Sequence, residues 1–276
     1  MKKINLLKMM FLAAIMLFGT SVMAQTPNVV ISGVYGAGGN SGAPVLSDYV
    51  ELYNTTASPI DIGGWTIYYA AATGTNVSAA NAFTFPAGTF IGANGFLLLR
   101  GGVGNATATQ TDPYTFDVDM SDGATNVFSM AAGNGKVLLL STNTSFTASN
   151  SLPNTLAGIQ ALDGFVDYVP YGTATPTVGT AVATLTATTA ATRTITGTTV
   201  AYTPDMGADF EVVTLTETVP RNSSTTLGVG GASTADGDCE PNGFYSILGQ
   251  KLNYAPERGV YIVTYSNCEA KKFVKK

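Results

Sequence analysis

Residues Val30-Ile31-Ser32-Gly33-Val34-Tyr35-Gly36-Ala37-Gly38-Gly39-Asn40-Ser41-Gly42, then Ser47-Asp48-Tyr49-Val50-Glu51-Leu52-Tyr53-Asn54, then Gly63-Gly64-Trp65-Thr66-Ile67, decide how this chain is read. A β-branched run, a glycine loop, an alternating run, a tight turn and a Trp-bearing run follow one another, as in strands joined by short connections. In the alternating run Tyr49, Glu51 and Tyr53 share one face and Asp48, Val50 and Leu52 the other. One face is therefore expected against a core and the other partly wet.

The same pattern continues downstream. Further strands are expected near Ala82 to Phe85, Gly95 to Leu99, Val127 to Met130, Lys136 to Leu140, Phe165 to Tyr168 and Asp209 to Val213. Phe96-Leu97-Leu98-Leu99 and Val137-Leu138-Leu139-Leu140 are unbroken apolar runs and read as central strands buried on both sides. Asn94-Gly95 and Asn134-Gly135 precede them and read as type I′ turns that fix register. Val169-Pro170 places a residue without an N–H inside a strand, which points to an edge or a bulge. The Thr/Ala-rich stretch from Thr173 to Thr203 reads as a long loop with one irregular edge strand. No amphipathic helical period persists outside the N-terminus, so the fold class expected is all-β.

These segments, taken in order, resemble a bacterial lamin-tail domain. The resemblance rests on the opening quoted above and on Phe165-Val166-Asp167-Tyr168-Val169-Pro170-Tyr171-Gly172, Thr192-Arg193-Thr194, Ala208-Asp209-Phe210 and Thr218-Val219-Pro220-Arg221-Asn222-Ser223. It implies an immunoglobulin-like β-sandwich that serves as an extracellular accessory module and is not itself an enzyme.

The ends point to export. Lys2, Lys3 and Lys8 lead into the apolar run Met9 to Phe18, and Val22-Met23-Ala24 fits a signal-peptidase site, with cleavage between Ala24 and Gln25. That apolar core falls short of the roughly 20 residues that span a bilayer, so no membrane span is expected once the signal is removed. The domains expected are a signal peptide at 1–24, the sandwich at 25–224, a linker of Gly, Ser and Thr at 225–243 and a small β segment at 244–276. Gly243-Phe244-Tyr245-Ser246-Ile247-Leu248-Gly249-Gln250-Lys251-Leu252, Arg258-Gly259-Val260-Tyr261-Ile262-Val263 and Lys271-Lys272-Phe273-Val274-Lys275-Lys276 resemble the C-terminal tails of secreted Bacteroidetes proteins, which are signals of the type IX secretion system. The tail here resembles their second half and lacks the early Tyr-Pro-Asn-Pro-type strand. The resemblance implies contact with the secretion machinery and a place in the periplasm, on the outer cell surface or in the medium.

Charge and residue choice exclude much chemistry. Between Gln25 and Ala235 four cations, Arg100, Lys136, Arg193 and Arg221, face thirteen acids, a balance that repels phosphate backbones and argues against nucleic acid. The chain has no histidine, which removes the Ser-His-Asp and Cys-His arrangements and most zinc sites. A glycosidase needs only two carboxylates, but the nearest pair, Asp48 and Glu51, lies on opposite faces of a strand, and solvated acids are the preferred reading. Asp117, Asp119 and Asp122 flank the Gly123 turn and offer oxygen ligands for calcium. No EF-hand Glu follows and no helices flank them, so an acidic surface loop is preferred.

No catalytic residue, cofactor or metal site is therefore assigned. The Gly36 to Gly42 loop lacks the Lys-Ser/Thr ending of a phosphate-binding loop and reads as a flexible rim loop. With Tyr35 and Tyr68-Tyr69 it is the expected contact surface. Trp65 is expected in the core, and Arg193, alone in an uncharged stretch, is expected to pair with an acid of the body. The expected role is that of an exported, non-catalytic binding or structural module, its partner a protein or glycan at the cell envelope. The alternatives are a secreted hydrolase, or its accessory domain, using carboxylates or calcium, and a self-associating adhesin or matrix protein.

Cys239 and Cys268 are the only cysteines, and an even count in an exported chain favours a bond between them over two free thiols. Closing a loop of about 30 residues contributes roughly 3.5 kcal/mol in the chain-entropy model. Mass spectrometry of the non-reduced, alkylated protein is expected to find neither thiol alkylated; two alkylated cysteines would refute the pairing.

Overall fold

The alternating run becomes the centre of a sheet. β1 (Val29–Tyr35) and β2 (Ser47–Asn54) pair antiparallel, Val34 opposite Val50 and Tyr35 opposite Tyr49. β7 (Phe96–Val103) pairs with the far side of β2, Val50 opposite Leu99. The structure is a computed structural model that describes residues 26–104, 108–124, 127–147, 150–215, 219–225, 241–246, 251–252, 259–265 and 271–275. Ala24, Gln25, Cys239 and Cys268 lie outside the described residues.

Two sheets form the body. The first has the order β14 (Phe210–Thr214), β11 (Thr189–Arg193), β1, β2, β7 and β8 (Val118–Asp119). The second has the order β10 (Phe165–Tyr171), β9 (Gly135–Leu140), β4 (Thr66–Ala71) and β5 (Ala82–Thr84). Val50, Leu52, Leu97 and Leu99 of the first pack against Ile67, Val137, Leu139 and Val169 of the second, which makes the layered core of an immunoglobulin-like sandwich. Two-residue strands complete the body as the ribbons β3 (Ile60–Asp61) with β6 (Phe90–Ile91) and β12 (Ile195–Thr196) with β13 (Thr199–Val200). A further antiparallel sheet, in the order β16 (Lys251–Leu252), β15 (Pro241–Ser246), β17 (Gly259–Tyr265) and β18 (Lys271–Lys275), begins at Pro241, ahead of the expected start at residue 244.

The outer faces are covered too, contrary to the half-wet expectation for β2, all of whose residues are buried. Tyr35, Tyr49 and Leu98 lie beneath Ala37, Val45 and Tyr114. On the second sheet Tyr68, Leu138, Leu140 and Tyr168 lie beneath Val77, Phe146, Leu152 and Ile159, the last from the short helix α1 (Leu156–Gln160). Asp48 and Glu51 are consequently buried acids, not solvated ones.

Several local expectations are corrected. The Thr173 to Thr203 stretch contains β11, an internal strand between β1 and β14 and not an edge. Asn94 alone has positive φ at its site, 46°, and Gly95 N–H bonds Gly92 O, so the turn is not type I′. Gly135 opens β9 at ordinary φ; it is small because a Cβ would meet the rings of Tyr69 and Tyr171. Val127 to Met130 is not a strand, and Phe128 is a fully buried plug with φ of 48°. Trp65 is only partly buried and packs on the core from the residue before β4. Pro170 does sit in an edge strand, and the β10 register shifts between Phe165 and Asp167.

Arg193 ties the two sheets together. β11 pairs with β1 only at Thr192 and Ala191, so Ile31, paired with Leu52 of β2 on its other side, has no strand partner on the β11 side. Asp167 reaches from β10 and takes Ile31 N–H at 2.8 Å, while Arg193 Nε donates to Ile31 O at 2.9 Å. Arg193 Nη2 donates to Asp167 Oδ2 at 2.9 Å, and Nη1 to Asp209 Oδ2 at 3.4 Å and Ala201 O at 3.1 Å. The guanidinium, 0% exposed, lies over the rings of Phe210 at 4.5 Å and Tyr202 at 5.4 Å. The expected acid partner of Arg193 is thus two acids. Removing one member of a buried ionic group leaves an uncompensated charge, so Arg193→Ala should lower unfolding free energy by about 3–5 kcal/mol in urea titrations.

Candidate functional site

The buried acids are the first candidates for chemistry, and each is engaged by its own fold. Asp48 accepts Gly38 N–H on Oδ1 at 2.8 Å and Met130 N–H on Oδ2 at 2.7 Å. Glu51, three residues on and facing the other way, accepts Ser32 Oγ at 2.7 Å and Arg221 Nη2 at 2.7 Å. Arg221 also stacks on Phe96, 4.2 Å from its centroid. Residues 219–225 thereby strap the outer face of the first sheet, reinforced by Asn222 Nδ2 to Thr115 O at 3.0 Å and Ser223 N–H to Asp117 Oδ2 at 2.9 Å. The two carboxylates of the Asp48/Glu51 pair thus have separate partners on opposite faces of β2.

The Asp117, Asp119 and Asp122 group is also divided. Asp117 accepts Leu98 N–H at 2.8 Å as well as the strap. Asp119 accepts Ser121 N–H at 2.9 Å and Arg100 Nη1 at 3.1 Å. Asp122 occupies a turn position with φ of 49°. Among the described residues no three His, Cys, Asp or Glu side chains are grouped to hold a metal ion, and no helix is long and apolar enough to cross a membrane.

The expected contact surface is taken apart by the structure. Tyr35 is fully buried, donates to Ala187 O at 2.7 Å and stacks on Tyr49 at 5.5 Å. The glycine loop is strapped rather than flexible: Gly38 and Gly39 pass so close to Ser47 and Gly104 that a Cβ on either would overlap backbone. Only its tip, Asn40 to Gly42, is exposed. Tyr68 remains at a cavity, but as its floor, whereas the Tyr69 ring lies in the core between the sheets and its hydroxyl accepts Ala131 N–H at 2.8 Å.

That cavity is a cleft of about 700 Å³ on the outer side of the second sheet. One wall is the β4–β5 connection, including Asn76, Ser78 and Asn81; the other is the segment Asn143 to Thr147 after β9. Tyr68 builds the second wall from below, its hydroxyl donating to Thr144 O at 2.9 Å and accepting Thr144 N–H at 2.8 Å. Phe146 closes edge-on over the Tyr68 ring, centroids 5.1 Å apart at 78°. Leu152 N–H to Thr75 O at 2.7 Å ties the first wall to the chain following the second. No Asp, Glu, Lys or Arg lines the cleft. Nothing in the local sequence singles out these loops; only the tertiary fold brings them together.

Residues 23–152 match the lamin tail domain family model. The lamin tail domain is an immunoglobulin-like module, and its span here covers strands β1 to β9, just under half of the chain. No curated protein matches the chain. The sheets do not stop where the lamin-tail match stops: β10 forms an edge of one, β11 and β14 extend the other, and the strap follows.

Asp48 makes this body pH-sensitive. Burial pushes its carboxyl up to about 7, and the N–H groups of Met130 and Gly38 pull it back only in part. Because the folded value exceeds the unfolded one near 4, the stabilising contribution is complete below pH of about 4 and is lost as pH rises through 7. Asp119, held low by Ser121 and Arg100 against the opposing effect of burial, changes only below that window. The protein should lose stability between about pH 4 and pH 7, by a few kcal/mol at most, and Asp48→Asn should flatten that slope in urea titrations.

Proposed function

We propose that this chain is an exported, non-catalytic binding module of the cell envelope, and that the uncharged cleft is its contact surface. The observation that carries the reading is the division of labour among polar groups. The buried acids Asp48, Glu51, Asp167 and Asp209 each accept hydrogen bonds from the fold itself, whereas the polar side chains at the cleft mouth are neutral. The lamin-tail match over residues 23–152 supports the same role, since that family supplies immunoglobulin-like modules. A rigid sandwich with a preformed concavity suits binding, because little has to be ordered when a partner arrives.

Export rests on the basic and apolar N-terminus, and the C-terminal sheet from Pro241 is the segment proposed to meet the secretion machinery. Two measurements test the whole. The protein recovered from the periplasm, cell surface or medium should begin at Gln25; retention of Met1 on protein confined to the cytoplasm would refute export. Purified protein mixed with isolated cell envelopes should co-sediment with them and release neither reducing ends nor new peptide N-termini. Sustained, enzyme-dependent release of either would establish the hydrolase alternative instead.

A further inference from the structure

We infer that the cleft between the β4–β5 connection and residues 143–147 is a site for a neutral oligosaccharide, a ligand class that refines the binding role proposed above and rests on it. The floor and the rim have different chemistry. Ala70, Val77, Ala82 and Phe146 present apolar surface at the base, while Asn76, Ser78, Asn81, Asn143 and Ser145 stand around it. Within the described residues, the side chains of these five rim residues make no hydrogen bond to the protein, so their donors and acceptors face only solvent. A primary amide both donates and accepts, as a sugar hydroxyl does, and the C–H faces of a pyranose match an apolar floor.

The charge pattern narrows the choice. A chain with thirteen acids in its body has no ionisable carboxylate or cation along this cleft, so neither sulfated nor phosphorylated nor cationic ligands find a countercharge. Lys136, the nearest cation on the same sheet face, is buried and donates to Thr175 O at 2.6 Å. The volume, about 700 Å³, exceeds what a single sugar ring fills and suits a short chain. Both walls are held before any ligand arrives: Gly74 N–H bonds Ala71 O at 3.0 Å, Asn81 N–H bonds Ser78 O at 2.9 Å, and Asn150 Nδ2 bonds Ser145 O at 2.8 Å. The rim amides therefore sit on fixed backbone, which lowers the ordering cost of binding.

Isothermal titration calorimetry of the purified chain against neutral hexasaccharides of glucose, mannose, xylose and N-acetylglucosamine, with heparin as the charged probe, tests this. At least one neutral sugar should bind, with an affinity that stays within about twofold when salt is raised tenfold, since no charges are paired. Asn76→Ala combined with Asn143→Ala, both at exposed positions, should weaken binding about tenfold or more without lowering the melting temperature. Val212→Ser, at an exposed position of β14, should leave binding unchanged. Failure of every neutral sugar to bind, preference for heparin, or full affinity in the double variant would overturn the inference. The envelope co-sedimentation assay separates the two readings: retention on envelopes without sugar binding defeats the glycan site alone, whereas loss of retention defeats the binding module itself.

Discussion

Everything in the body depends on one buried cation. Arg193 occupies the point where β11 leaves β1, and it satisfies the carbonyl of Ile31 while Asp167 satisfies the amide of the same residue. Without this pair a bulged strand in the sandwich interior would carry two unpaired backbone groups, each costly in a dry environment. The charge that does this work is itself tolerable because Asp167 comes from the opposite sheet and Asp209 from α2 (Met206–Asp209), so three elements converge on one guanidinium. The ion group thus specifies how the sheets sit on each other, a role that apolar packing, being non-directional, fills less sharply.

A second constraint follows from covering both outer faces. A sheet whose outward residues are Tyr35, Tyr49 and Leu98 on one side, and Tyr68, Leu138 and Tyr168 on the other, cannot be left wet. The connecting loops therefore lie flat over the sandwich and carry their own apolar side chains inward. Where two such loops fail to meet, a gap remains above the sheet, and that gap is the cleft. The concavity is a by-product of how the second sheet is roofed, which explains why its base is apolar and its rim is made of loop residues.

Much of this was legible in the sequence where signals are local. Continuous leucine runs identified β7 and β9 as interior strands, Pro170 placed β10 at an edge, and the isolation of Arg193 in an uncharged stretch demanded an acid. What escaped depends on distant partners. Apart from Arg193, β11 consists of Thr and Ala, too small to announce burial, and it becomes interior because β14 flanks it on the side away from β1. Asp48 and Glu51 looked like surface acids because their partners, Met130 and Arg221, lie 82 and 170 residues away. The Asn-Gly pairs misled because Gly95 lies just ahead of β7 and Gly135 is already the first residue of β9, so neither pair sits at the two centre positions of a hairpin.

The order in which these groups occur along the chain has a kinetic side. β1, the first strand, finds one neighbour within a few residues but the other only at β11, and the strap that neutralises Glu51 comes later still. Most of the sandwich can be assembled from early segments, yet its lock is carried by late ones, which gives the fold a high contact order and a correspondingly slow closing step. A chain lacking its last third would leave β1 as an open edge and Asp167 and Glu51 without Arg193 and Arg221. The last strands therefore both close the edge of the first sheet and complete the buried ion group, two tasks assigned to one late segment.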